Sequence, residues 1–163
     1  MKSMSFVDPN QFVITRRRKK YKFALFNNSP LCFEYDEWMP RPIDVLEVGA
    51  GTGLFSVELA ARHPEQRFLA VDVKADRLQK GAREAERRGL TNIWFVRARA
   101  DQLGELCEAG SLSQLWVTFP DPFPRQRSSG RRLTHPHFLT QYAKLLDEGG
   151  ELLLKHDDHG FFC

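Results

Sequence analysis

Residues 43–53 read Ile43-Asp44-Val45-Leu46-Glu47-Val48-Gly49-Ala50-Gly51-Thr52-Gly53. A short apolar run gives way to three glycines in alternate positions, and helical spacing begins at Leu54. The stretch therefore predicts a strand, a tight turn and a helix in succession. Glycine lacks a Cβ, so a backbone carrying it turns with positive φ and approaches a ligand closely. Three alternating glycines cost more conformational entropy than a plain turn requires, which favours a ligand cradle over a ligand-free turn.

The same pattern repeats outward from this point. Arg67 to Val73, Ile93 to Val96, Leu115 to Phe119 and Glu151 to Leu154 are strand-like runs, following the first at Ile43 to Val48. Between them, Leu54 to His63, Ala75 to Gly89, Asp101 to Glu108 and Pro136 to Leu146 carry helical spacing. Strands alternating with helices imply βαβ units and an α/β fold on a parallel sheet. Gly89 fits a helix C-terminal cap, and Gly149-Gly150 mark the end of the last helix.

The cradle does not fit a dinucleotide. That fingerprint is G-x-G-x-x-G, but Leu54 stands where its third glycine belongs and the third glycine here is Gly53. Glu47 precedes Gly49, where a carboxylate repels a pyrophosphate but can pair with a ligand ammonium or order a water bound to one. Asp72 ends the second strand about 20 residues on, placed to accept the hydroxyls of a ribose. Glu47, Gly49, Gly51 and Gly53 followed by Asp72 resemble class I methyltransferases, whose fold is a Rossmann-like sheet of order 3-2-1-4-5 and whose cofactor is S-adenosyl-L-methionine. In that fold an acidic residue after the third strand meets the adenine; Asp101 is the candidate, with a helix N-cap as its alternative role.

After the fourth strand comes Phe119-Pro120-Asp121-Pro122-Phe123-Pro124-Arg125-Gln126-Arg127, then Ser128-Ser129-Gly130-Arg131-Arg132. Flanking prolines stiffen the chain around Asp121. Arginine forks suit phosphates and guanine edges, so this segment reads as an RNA contact, the alternative being a solvated loop. Together with His137 to Asp158, it resembles the bacterial tRNA guanine-N7 methyltransferase family from about Val45 to Phe162. The resemblance implies methyl transfer to guanine N7 in tRNA, with Asp121 catalytic, Arg125 and the stretch Arg127, Arg131 and Arg132 on the substrate, and Asp157 at the guanine. Four departures stand against it: Arg125 for lysine, Phe123 for tryptophan, His156 for threonine, and Arg99 at one of two acidic positions near the third strand. Another class I methyltransferase, acting on an amine, protein or RNA, and a non-catalytic RNA-binding homologue are the competing readings.

Residues 1–42 lack clear periodicity and hold the cations Arg16, Arg17, Arg18, Lys19, Lys20 and Lys22. They read as a basic N-terminal arm whose Phe33, Tyr35 and Trp38 pack on a domain spanning 43–163. The net charge of +3 is modest, but its clustering suits a polyanion such as tRNA. Cys32, Cys107 and Cys163 form no C-x-x-C pair, and the histidines at 135, 137, 156 and 159 show no converging ligand set, so neither disulfides nor a metal are expected. No run approaches the roughly 20 apolar residues of a membrane helix. The N-terminus lacks the pattern of a secretory signal, so a cytoplasmic location is expected. Class I sheets normally close with a sixth and a seventh strand; this pattern stops at the fifth, which leads us to expect a dimeric, unstable or inactive protein if nothing completes the edge.

Overall fold

The computed structural model describes Asp8 and residues 17–119 and 135–156. Helix α1 (Arg17–Asn28) leads to β1 (Cys32–Glu34), β2 (Val45–Val48), α2 (Leu54–Arg62), β3 (Phe68–Asp72) and α3 (Ala75–Arg87). Then come β4 (Ile93–Arg97), a 3-10 turn (Ala100–Gln102), α4 (Leu103–Leu106), β5 (Leu112–Phe119), α5 (Pro136–Leu145) and β6 (Leu146–His156).

All strands pair in parallel, in the order β1-β4-β3-β2-β5-β6. The five strands expected in the order 3-2-1-4-5 are β4, β3, β2, β5 and β6, and β1 extends the sheet beyond β4. Burial on both faces explains why β2, β3 and β4 read as nearly continuous apolar runs, whereas β6, at the sheet edge, leaves Leu152 and Leu154 exposed. Alternate residues serve two cores. Leu46, Leu69, Val71, Val96, Leu115 and Val117 face Trp38, Leu103, Leu106, Tyr142 and Leu145. Val45, Phe68, Ala70, Ile93 and Phe95 face Phe26 and the helices α2 and α3 through Val57, Ala60, Leu78, Ala82 and Ala85.

The chain before Ile43 is more than an arm. From Arg17 onward it contributes α1, which packs on α3, and β1, in which Cys32, Phe33 and Glu34 pair with Phe95, Val96 and Arg97. Phe26 and Cys32 are fully buried, Phe33 and Trp38 nearly so, and the Trp38 indole N–H donates to the Leu106 carbonyl at 2.9 Å. Arg97 Nε donates to Glu34 Oε2 at 2.9 Å, tying the added strand to its neighbour.

Element ends follow local chemistry. Helix α3 closes in a Schellman motif: Gly89, at φ 68°, donates to Glu86 O at 3.0 Å, and Leu90 N donates to Ala85 O at 3.0 Å. The helix expected over Asp101 to Glu108 is shorter, because Gln102 Oε1 accepts from Arg99 N at 2.9 Å and fixes a 3-10 turn first. At the other end, α5 stops at Leu145 rather than Leu146. Leu146 already pairs with Leu112, but regular pairing resumes only at Gln114 with Glu151. Gly149, at φ 88°, lies in that irregularity, so the glycine pair shapes a bulge inside β6 and does not cap the helix. Among the described residues, no helix is long and apolar enough to cross a membrane.

Candidate cofactor-binding site

Parallel pairing brings the carboxyl ends of β2, β3 and β4 to one edge of the sheet, where ligands of open α/β folds bind. The glycine loop leaves β2 there. Gly49, Gly51 and Gly53 have φ values of 71°, 61° and 75°, a region that side chains rarely adopt. At Gly53 the restriction is also steric, since a Cβ would lie 2.7 Å from Phe95 Cε1. The loop is thus pressed against the sheet at the start of α2, with Ala50 N donating to Val71 O at 3.0 Å and Gly53 N to Ala50 O at 2.9 Å.

Asp72, at the end of β3, reaches back to this loop. Its Oδ2 accepts from Gly51 N at 2.8 Å and its Oδ1 from Lys74 N at 2.9 Å. Each carboxylate oxygen has two acceptor directions, so one on each remains for a ligand hydroxyl. The side chain is half-buried, consistent with a group that braces the loop and still meets a ligand. Arg77, on the first turn of α3, lays its guanidinium beside Gly51, its Nη2 lying 3.3 Å from where a Cβ would stand.

Glu47 sits below the loop and is almost fully buried. Ser56 Oγ donates to its Oε1 at 2.6 Å, Thr118 Oγ1 donates to its Oε2 at 3.1 Å, and Lys155 Nζ lies 3.3 Å from Oε2. Burial pushes its carboxyl above the usual carboxylate range, while the Lys155 ammonium and then the two hydroxyls pull it back. The sequence suggested a carboxylate open to a ligand ammonium. The structure places one already engaged by three elements, leaving an ordered water or the through-space field as its route to a ligand.

Asp101 lies in the 3-10 turn after β4, exposed, with Arg99 Nε donating to its Oδ1 at 3.0 Å. It does not act as a helix N-cap: α4 begins after Gln102 with no side-chain cap. Gln141 of α5 donates to the Asp101 carbonyl at 3.2 Å, fixing the turn against that helix. Asp121, Arg125, Arg127, Arg131, Arg132 and Asp157 lie outside the described residues. Among the described residues, no group of three or more His, Cys, Asp or Glu could hold a metal ion.

Sequence reasoning missed three contributors to this edge. Thr118 and Lys155 come from β5 and β6, far along the chain from the loop that they support. Gly81, inside α3, is the third: its Cβ would stand 2.1 Å from the Thr52 carbonyl oxygen, so the helix can pass the loop only as glycine. A glycine in the middle of a helical stretch costs about 1 kcal/mol against alanine, and that cost was the available signal.

A doubly wound parallel sheet with a glycine cradle and a braced acidic residue at the next strand end defines a Rossmann-like domain of the class I methyltransferase type. Solved structures agree on the fold: the 16S rRNA methyltransferase KamB superposes with a TM-score of 0.55 at 22% identity over 78% of this chain and 57% of its own. The antibiotic-resistance methyltransferase Kmr gives 0.53 at 24% identity over 71% of this chain and 60% of its own. The model of the family described as "Putative methyltransferase" matches residues 41–163, and the chain belongs to that family. A tRNA (guanine-N(7)-)-methyltransferase of Porphyromonas gingivalis is 39% identical over 69% of this chain and 46% of its own length. That of Brevibacillus brevis is 35% identical over 86% of this chain and 67% of its own. The chain spans about half the length of the first curated relatives it matches.

Proposed function

We propose that this chain carries the cofactor-binding part of an enzyme that methylates N7 of a guanosine in tRNA, with S-adenosyl-L-methionine as methyl donor. The observation that carries the reading is the meeting, at one sheet edge, of three positive-φ glycines with an Asp72 carboxylate bonded to Gly51 N. The likeness to tRNA (guanine-N(7)-)-methyltransferases supplies the substrate class.

The residues present suit the cofactor. The loop gives its amino-acid end close backbone approach, and the two free acceptor directions on Asp72 match the vicinal hydroxyls of a ribose. Asp101 stands on the turn where an adenine would lie in this fold. When bound, the cofactor supplies an electrophilic methyl group.

The chain's own task is then alignment and charge. Guanine N7 already carries an in-plane lone pair, so attack needs orientation more than proton removal, and no strong general base is required. Methylation leaves a cationic purine. Asp121 and Asp157 are assigned to accept hydrogen bonds from guanine N1–H and its amino group and to stabilise that charge. Arg125, Arg127, Arg131 and Arg132 are assigned to the tRNA. The basic residues of α1, Lys20 and Lys22 among them, extend this positive character, and the tRNA backbone is the partner that they suit.

Incubation with labelled S-adenosyl-L-methionine and bulk tRNA, followed by mapping of modified guanines, tests the reading. Label at N7 of guanosine is expected; label in protein or small amines with none in tRNA would overturn it. Asp121→Ala is expected to abolish transfer while leaving cofactor affinity within about threefold. Asp72→Ala should weaken cofactor binding by about tenfold or more, since a hydrogen bond to a charged group contributes roughly 1.5–3 kcal/mol. Equal loss of binding in both variants would assign Asp121 to the cofactor site instead.

A further inference from the structure

The Glu47 carboxylate is served from three directions. Ser56 comes from α2, Thr118 from β5 and Lys155 from β6, two strands away from β2 in the sheet. On the remaining side, β3 places Ala70 in register with Glu47, so Lys155 is the charged partner that the described residues give it. Lys155 pairs in register with Thr118, so the two side chains leave adjacent strands together and meet the same oxygen, Oε2. The Lys155 ammonium also lies 4.0 Å from the centroid of the Phe55 ring, on the turn of α2 that carries Ser56. The Glu47 side chain is 0% exposed and that of Lys155 only 20%. A carboxylate so enclosed does not remain ionised without a cation beside it.

We propose that Lys155 is a positioning residue of the cofactor site: from the end of β6, its ammonium holds Glu47 as an oriented carboxylate beneath the glycine loop. The role rests on the cofactor reading above and acts through Glu47. It fixes the direction of an ionised acceptor on the side of the loop that the amino-acid end of the cofactor approaches. It also ties the glycine-loop side of the crevice to the edge strand β6.

The test uses the whole chain and two measurements. The first is the titration of the Glu47 side-chain carboxyl, followed by carbon-13 NMR and assigned with Glu47→Gln; it needs no cofactor. The second is the affinity for S-adenosylhomocysteine between pH 5.5 and 7.5, below the range in which a ligand amino group loses its proton. The unmodified chain sets the reference pH profile. Lys155→Met should raise the Glu47 titration midpoint by at least one unit and weaken binding about tenfold at pH 6, the loss shrinking as pH rises, because one unit is a tenfold change in proton occupancy. Lys155→Arg should restore the profile of the unmodified chain. Lys155→Gln keeps a donor without the charge and should follow Lys155→Met; it also serves if the methionine variant does not fold.

An unchanged Glu47 midpoint in the methionine and glutamine variants would overturn the proposal, as would a loss of affinity equal at every pH. Failure of the unmodified chain to bind S-adenosylhomocysteine would count against the cofactor reading, while the carboxyl titration would still decide whether Lys155 holds Glu47 ionised.

Discussion

At Gly81 the packing of α3 on the glycine loop leaves no room for a methyl group. A Cβ there would meet Thr52 O at 2.1 Å, Phe95 Cε1 at 3.1 Å and Gly53 C at 3.2 Å, and two of these three atoms are backbone. Gly81→Ala must therefore push the helix from the loop, at a cost of about 1–3 kcal/mol, the usual range for overpacking. Because the displaced atoms belong to Thr52 and Gly53, cofactor affinity should fall as well. Gly89 is the control: it has φ 68° and nothing within 4 Å of its hypothetical Cβ. Gly89→Ala should cost roughly 1–2 kcal/mol through backbone conformation alone and leave affinity unchanged. Urea denaturation with titration calorimetry on both variants checks the pair, and an unaffected affinity in Gly81→Ala would show that the loop tolerates the shift.

Among the elements, the N-terminal segment is integral to the sheet. Phe26 of α1 is fully buried in the core shared with α2 and α3, so Phe26→Ala should destabilise by about 3–5 kcal/mol, measurable as a lower denaturation midpoint. A loss under about 1 kcal/mol would mean that α1 is peripheral. This segment was the least legible part of the sequence. The later strands announce themselves as apolar runs separated by amphipathic helices, which for β2, β3 and β4 reflects burial on both faces. Strand β1 is only Cys32–Glu34, too short for periodicity, and in α1 the apolar run Phe23 to Phe26 is only four residues long and follows directly on a run of cations. The site divides in the same way. Glu47, the glycines and Asp72 are close in sequence, and their spacing shows their purpose. Thr118 and Lys155 meet Glu47 only through the order of the strands, which no local pattern encodes.

For the whole molecule, the position of the loop makes ligand binding and global stability one quantity. The loop joins β2, the central strand of β3-β2-β5, to α2, and it is braced by Asp72 from β3 and by α3 at Gly81. A ligand held there contacts groups that come together only when the sheet is assembled, so it binds the folded chain and not the unfolded one. At a concentration of S-adenosylhomocysteine about 100 times its Kd, the linkage contributes roughly 2.7 kcal/mol. For a domain of this size, each kcal/mol raises the thermal midpoint by about 2–4 °C, so scanning fluorimetry should show an increase of about 5–10 °C. Asp72→Ala should remove most of that increase at the same ligand concentration, having lost the acceptor that meets both ligand and loop. NAD should produce none, because Glu47 lies beneath the turn where a pyrophosphate would have to sit and the third glycine of a dinucleotide loop is Leu54. A shift with NAD but not with S-adenosylhomocysteine would assign the cradle to a dinucleotide and remove the basis for methyl transfer.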